Sequence, residues 1–300
     1  MKNWIEAFRL RTLMLSLACI LMGVFLAKMS HVDIDLLSVT FTFLTALFLQ
    51  ILSNLANDYG DSKHGADHDG RKGPKRAVQS GKISSAKMLN GIKLFVVLSL
   101  ISGILLLYFC LPIIGNLGAI SLFVLGIAAI IAAIAYTNGK KPYGYMGLGD
   151  ISVFVFFGLI AVCGTYYLLV GSICSMVLLP AISCGLFSVG VLNLNNMRDI
   201  DSDLQAGKNS IPARIGFAIS KIYHYNIIVI ALLCTLVFVM FYNEMPTWRN
   251  LSFVACYPFF LKQLFTIKNT TDKQKLDPML KQLAISTMLF VVLFGLGNAF

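Results

Sequence analysis

Charge is scarce in this 300-residue chain: 13% of residues are Asp, Glu, Lys or Arg, against 57% apolar residues. So few polar groups cannot cover the surface of a water-soluble fold of this size, and intrinsic disorder is excluded for the same reason. With a mean hydropathy of +0.79, most of the surface must face lipid. Acid is scarcer than base, 14 residues against 24, and glutamate is nearly absent, with only Glu6 and Glu244. The seven cysteines show no C-x-x-C pairing and lie in apolar runs, so they read as small buried hydrophobes, which excludes a disulfide scaffold. No Walker P-loop occurs, so nucleotide-driven pumping lacks its phosphate cradle. The net charge of +10 sits in loops between apolar runs, which favours anionic headgroups or a phosphate-bearing ligand and argues against nucleic acid.

What is present is a series of apolar runs about 20 residues long. They predict nine transmembrane helices near 12–28, 37–56, 91–111, 116–137, 150–170, 172–192, 222–243, 250–267 and 282–299. The first run has no small-residue cleavage site, so it is expected to remain as an anchor. Alternating the connections between two sides puts 22 of the 24 basic residues on the side of the amino terminus. That bias predicts a multi-pass protein of the cell inner membrane with a cytoplasmic amino terminus and an outer carboxyl terminus. Residues 1–300 are expected to form one domain, with a cytoplasmic cap loop near 62–90 and a second cytoplasmic loop near 195–220.

Seven of the acids fall in two windows on that cytoplasmic side: Asp58, Asp61, Asp67 and Asp69, then Asp199, Asp201 and Asp203. Both open with an Asn-x-x-x-Asp step, Asn57 to Asp61 and Asn195 to Asp199, which puts Asn and Asp on one helix face. Four predicted spans separate the copies, so the chain reads as two related four-helix bundles plus one helix around a central cavity. Carboxylates gathered beside a low-dielectric interior need cationic neutralisation. Mg²⁺, held by Asp61, Asp67, Asp199 and Asp203 together with a substrate phosphate, meets that need with oxygen ligands. Arg71, Lys72, Lys75, Arg76, Lys140, Lys141, Arg198 and Lys208 supply phosphate-binding charge on the same side. Other metal readings fare worse. The Asp199-x-Asp201-x-Asp203 run has Leu204 and Ser210 where an EF-hand needs Gly and Glu, and His64 and His68 lack the Glu of a zinc protease.

Asn57-Asp58-x-x-Asp61 with Asp67, paired with Asp199-Ile200-Asp201-Ser202-Asp203, resembles the two aspartate-rich motifs of the UbiA superfamily of intramembrane aromatic prenyltransferases. The likeness extends through Gly73–Gly81, Ala135–Thr137, Pro142–Tyr145, Gly147–Asp150 and Leu192–Ser210. The wider superfamily places a third acid where this chain has Gly65; the Asp61-x-x-x-Gly65-x-Asp67 form resembles the 1,4-dihydroxy-2-naphthoate branch. The resemblance implies transfer of a polyprenyl group from polyprenyl diphosphate to 1,4-dihydroxy-2-naphthoate, with loss of diphosphate and CO₂ to give demethylmenaquinol. Asn57, Asp58, Tyr136 and Asn195 are expected as catalytic residues, with the Tyr136 ring either facing an allylic cation or serving as an interfacial membrane anchor. Arg76, Lys140, Arg198 and Lys208 are expected on the diphosphate, and Arg71, Lys75 and Gln79 on the acceptor. Another acceptor such as 4-hydroxybenzoate is the nearest alternative. An ion-coupled transporter is the rival from a different class, although its acids would normally lie nearer the bilayer midplane.

Overall fold

The computed structural model describes residues 2–64 and 76–300, and the regular structure among these residues is entirely helical. A short α1 (Lys2–Phe8) leads into α2 (Leu10–Met29), α3 (Leu36–Lys63) and α4 (Ser85–Ala135). After a 3₁₀ turn at Tyr143–Met146 come α5 (Gly149–Val153), a π-helix (Phe154–Cys163) and α6 (Gly164–Val170), which run as one segment. The remainder is α7 (Leu178–Arg198), α8 (Ile200–Gln205), α9 (Ile211–Tyr242), α10 (Tyr257–Asn269) and α11 (Asp277–Asn298). Seven of these segments are long and apolar enough to cross a membrane.

Helix boundaries depart from the sequence expectation in an informative way. The apolar runs ending near 56 and 192 continue as helix to Lys63 and Arg198, so both Asn-x-x-x-Asp steps are helical. The expected spans at 91–111 and 116–137 are the two arms of α4, separated only by a break at Gly115, whose φ of 66° and ψ of 175° suit a residue without Cβ. The segment 195–220, expected as a loop, is mostly helix: the end of α7, α8 and the start of α9. Likewise, α3 runs to Lys63 and α4 begins at Ser85, inside the expected 62–90 cap.

Local signals explain the helix starts. Asp35 accepts the Ser38 N–H at 2.7 Å to cap α3, and Ser84 accepts the Lys87 N–H at 3.4 Å to cap α4. On α4 the residues Leu94, Val97, Ile101, Ile104 and Tyr108 form an exposed stripe at helical spacing. In water such a stripe would be an aggregation surface; against acyl chains it is ordinary. The opposite condition holds at α7, which packs against α2, the π-helix, α9 and α11. There Phe187 is fully buried, stacked on Phe260 at 4.8 Å and edge-on to Phe290 at 5.2 Å. Six cysteines are buried or half-buried as expected, whereas Cys174 is exposed in the turn before α7; no cysteine is in a disulfide.

Because lipid solvates the outside, stability must come from interior packing. Phe187→Ala is expected to cost about 3 kcal/mol, while Leu117→Ala, at a position 80% exposed, leaves stability nearly unchanged. Unfolding in detergent micelles checks this; equal losses in the two variants would contradict the assigned inside and outside.

Candidate active site

Helices α2, α3 and α7, the end of α4, and the α5–π segment enclose a cavity of about 380 Å³. Away from its charged end the wall is mostly apolar, with Ala46, Leu49, Ala129, Phe156, Phe157 and Ile160, and its polar side chains there, such as Gln50 and Ser188, are uncharged. Its charged residues, Glu6, Arg9, Arg11, Asp58, Asp61, Arg76, Arg198 and Lys208, all gather where α3 and α7 end. Along α3 the wall runs from Ala46 to Asp61, roughly 22 Å at helical rise.

The rim is assembled by side chains that fasten helix ends together. Asn54 donates to the Phe8 carbonyl at 2.8 Å and to the Thr12 hydroxyl at 2.9 Å, tying the α1–α2 junction to α3. Thr137, just past α4, donates to the Ala56 carbonyl at 3.1 Å, and Asn138 donates to the same carbonyl at 2.9 Å. This close approach requires Gly60, since a Cβ there would stand 2.5 Å from the Thr137 hydroxyl and 2.6 Å from its carbonyl oxygen. Asn57 is held in turn: its Oδ1 accepts from Thr137 at 3.3 Å.

Asp58 and Asp61 of the first window line the cavity, whereas Asp199 and Asp203 lie off its wall and meet it through the wall residues Arg198 and Lys208. Asp61 is 2% exposed, paired with Arg76 and accepting from the Tyr145 hydroxyl at 2.7 Å. Asp203 pairs with Lys208 at 3.8 Å and accepts from Ser210 at 3.0 Å. Lys208 stands 5.7 Å from the Tyr145 ring centre, so Tyr145 and Lys208 connect the first window to the second. Burial pushes the Asp203 carboxyl above its ordinary pKa, Lys208 opposes that rise, and Asp199 and Asp61 add to it. Asp199 is gripped by Arg198, which donates from Nε and Nη2 at 2.8 Å each.

Several expected residues take positions different from their expected roles. Asp58 accepts the backbone N–H groups of Ala77 and Val78 at 3.1 and 3.3 Å, so it anchors the turn that carries Arg76. Arg198 is buried and engaged on Asp199, Asp277 and the Asn195 oxygen, which makes it a clamp on the second window. Asn195 is thereby committed to Arg198. Lys140 is exposed and off the cavity wall. Gln79 accepts the Arg76 N–H at 3.3 Å and also lies off that wall. Tyr136 is on the wall, edge-on to Tyr143 at 5.2 Å, and burial pushes its hydroxyl well above the usual phenol range. Asp67, Arg71 and Lys75 lie outside the described residues.

Sequence reasoning passed over Arg9, Arg11, Tyr145, Asn196 and Asp277. Arg9 and Arg11 were visible as basic residues flanking the first apolar run. Asp277 has no motif to announce it, yet it receives both Arg198 and, at 3.3 Å, Arg11. Among the described residues no three His, Cys, Asp or Glu side chains form a ready metal nest. Two facing sets of one or two carboxylates still suit Mg²⁺, which commonly completes its shell with water and substrate phosphate.

A multi-pass helical membrane protein with an acid- and base-rich rim over an apolar cavity is the class these features define. The chain belongs to the UbiA prenyltransferase family, whose model matches residues 16–293. It is 42% identical over 298 residues to the 1,4-dihydroxy-2-naphthoate octaprenyltransferase of Haemophilus influenzae, covering 99% of this chain and 96% of that one. The enzyme of the same name from Escherichia coli is 39% identical, with 98% and 94% coverage. In fold, the chain is similar to a UbiA homologue from Archaeoglobus fulgidus solved with DMAPP and Mg²⁺, at a TM-score of 0.66, 16% identity and 99% coverage of both chains. A UbiA homologue from Aeropyrum pernix gives a TM-score of 0.69 at 16% identity, covering 93% and 97%.

The clamp can be tested without turnover. Arg198→Met leaves the Asp199 carboxylate buried without its guanidinium and is expected to cost about 3–5 kcal/mol. Adding Asp199→Asn to that variant should recover part of the loss. Chemical unfolding in detergent measures both, and the absence of recovery would contradict the pairing.

Proposed function

We propose that this protein transfers a polyprenyl group from polyprenyl diphosphate to 1,4-dihydroxy-2-naphthoate, releasing diphosphate and CO₂ and forming demethylmenaquinol. The carrying observation is the joining of two acidic windows, through Tyr145 and Lys208, at one rim of an apolar cavity. Full-length similarity to enzymes of that name supports the acceptor, and it favours the naphthoate over 4-hydroxybenzoate. A coupling-ion site near the bilayer midplane would put acids deep in the cavity, whereas here the wall away from the charged end is mostly apolar and uncharged.

In this reading Asp61, Asp199 and Asp203 hold Mg²⁺, with Asp67 as a further ligand. When bound by these residues, Mg²⁺ would supply positive charge to offset the charge that develops on a departing diphosphate. Arg76 and Lys208 are cavity-wall cations beside those acids and take the diphosphate oxygens. Arg9 and Arg11 stand on the same wall and add countercharge. Arg198 keeps Asp199 oriented. The allylic C–O bond breaks as the carboxylate-bearing ring carbon of the acceptor bonds to the prenyl carbon, and loss of that carboxylate as CO₂ returns its bonding pair to the ring. Tyr136, kept neutral by burial, offers its ring face to the electron-poor allylic carbon. The apolar depth takes the tail and excludes water that would otherwise capture the prenyl group.

For topology, the two arms of α4 count as separate crossings, and the Ser252–Cys256 turn with α10 counts as another, giving nine. The acidic rim and amino terminus then face the cytoplasm of a cell inner membrane and the carboxyl terminus lies outside, as the basic residues require. The whole chain acts as one domain of two related four-helix bundles and a ninth helix, and the connection between α3 and α4, with Arg71, Lys75 and Gln79, caps the acceptor.

Purified protein supplied with Mg²⁺, a polyprenyl diphosphate and either naphthoate or 4-hydroxybenzoate should yield prenylated product mass from the naphthoate alone. Asp61→Ala and Asp199→Ala should each lower that Mg²⁺-dependent turnover by at least about 100-fold. Near-normal turnover in either variant would remove the metal assignment.

A further inference from the structure

Asn196 is a buried amide on the cavity wall with an unsatisfied oxygen. It is 3% exposed and stands on that wall, and its buried side-chain oxygen has no hydrogen-bond partner among the described residues. Its neighbours are engaged: Asn195 accepts from Arg198 at 2.8 Å, Asn57 from Thr137 at 3.3 Å, and Asn54 donates to the Phe8 carbonyl at 2.8 Å. A buried polar atom without a partner keeps its full desolvation cost, and an apolar residue of similar size would avoid that cost. The amide lies three residues before Asp199 and one helical turn beyond Leu192. Leu192 and the Tyr136 hydroxyl flank the same turn at Gly149, so Asn196 stands between the acidic rim and the Tyr136 side of the cavity.

We infer that Asn196 determines specificity for the aromatic acceptor, its amide binding a hydroxyl and a carboxylate carried on adjacent ring carbons. A primary amide presents an acceptor oxygen and a donor nitrogen side by side. Diphosphate offers oxygen acceptors only, water on a metal ion turns donors only toward the protein, and a polyprenyl tail offers neither. An ortho-hydroxy arenecarboxylate supplies both: its O–H donates to the Asn196 carbonyl while its carboxylate accepts from the Asn196 N–H. The hydroxyl exchanges an internal hydrogen bond to its own carboxylate for one to the protein. A para-hydroxy acid separates the two groups across the ring, and a single amide cannot span them. Asn196 thus selects for the ortho arrangement, which rests on the prenyl-transfer reading for the identity of the acceptor.

The test uses the full-length protein in detergent, with 1-hydroxy-2-naphthoate and 4-hydroxy-1-naphthoate as competitors of the acceptor. Wild type should bind the ortho acid at least about tenfold more tightly than the para acid, as a site built to hydrogen-bond a ligand group discriminates against its misplacement. Asn196→Leu should bring the two within about twofold, and the isosteric Asn196→Asp, which loses the N–H donors and repels the carboxylate, should lose the same preference. KM for polyprenyl diphosphate and the Mg²⁺ midpoint should stay near wild type in Asn196→Leu, which adds no charge to the acidic rim. Equal binding of the two acids by wild type, or a preserved preference in both variants, would overturn the proposal. So would a loss in Asn196→Leu carried by the Mg²⁺ midpoint, which would assign the amide to metal-bound water, or by the diphosphate KM. If wild type catalysed no prenyl transfer, the functional reading would fail, and direct calorimetric binding of the same two acids would still decide the role of Asn196.

Discussion

The carboxylates at one end of this apolar bundle cannot remain charged and close together without countercharge, and the site is built around that constraint. Asp61 is met by Arg76, Asp199 by Arg198 and Asp203 by Lys208. The three bases come from different places: the turn before α4, the end of α7, and the loop between α8 and α9. Arg76 reaches Asp61 from the turn before α4 and Arg198 also reaches Asp277 on α11, so neutralisation does structural work in drawing separate pieces of chain together. Tyr145 adds a neutral link, donating to Asp61 while its ring lies beside Lys208. Asp277 extends the network to α11 and α2 through Arg198 and Arg11.

Away from the rim the conditions reverse. Lipid removes any penalty for the exposed apolar stripe of α4, so residues there are free to be large and outward, while α7 must be packed on nearly every side. That asymmetry leaves a cavity with a charged mouth and an apolar depth, a shape suited to a ligand with an anionic head and a hydrocarbon tail. An apolar interior strengthens the electrostatics at its mouth, since low dielectric weakens the screening of the charges there. The same low dielectric is why an unpartnered amide oxygen such as that of Asn196 is informative: its cost is not relieved by bulk water.

The helical class and the acidic windows were legible in the sequence because both depend on residue type and short spacing. Helix ends were less so. Polar residues from Asn57 to Lys63 read as the start of a loop, yet they continue α3, with Thr137 and Arg76 bonding Asn57, and Arg76 and Tyr145 engaging Asp61, from other elements. The π-helix at Phe154–Cys163 left no trace in an apolar run whose composition suits either geometry. Asp58 and Asp61 are equally acidic in sequence, but one holds the backbone at Ala77 and Val78 and the other lies beside Tyr145. Asn195 and Asn196 are neighbours that both line the cavity, and only hydrogen bonding separates the one whose oxygen is spent on Arg198 from the one whose oxygen is left without a partner.

The central claim is that two sets of carboxylates, far apart in sequence, share one metal-bound anionic ligand. An experimental structure with Mn²⁺ in place of Mg²⁺ and a non-hydrolysable prenyl diphosphate, with the metal located by anomalous scattering, tests it most directly. The account predicts metal between the Asp61 side and the Asp199–Asp203 side, with the diphosphate bridging them and the tail directed into the apolar depth. Metal confined to one window, or a diphosphate bound away from the Arg76 and Lys208 rim, would contradict it.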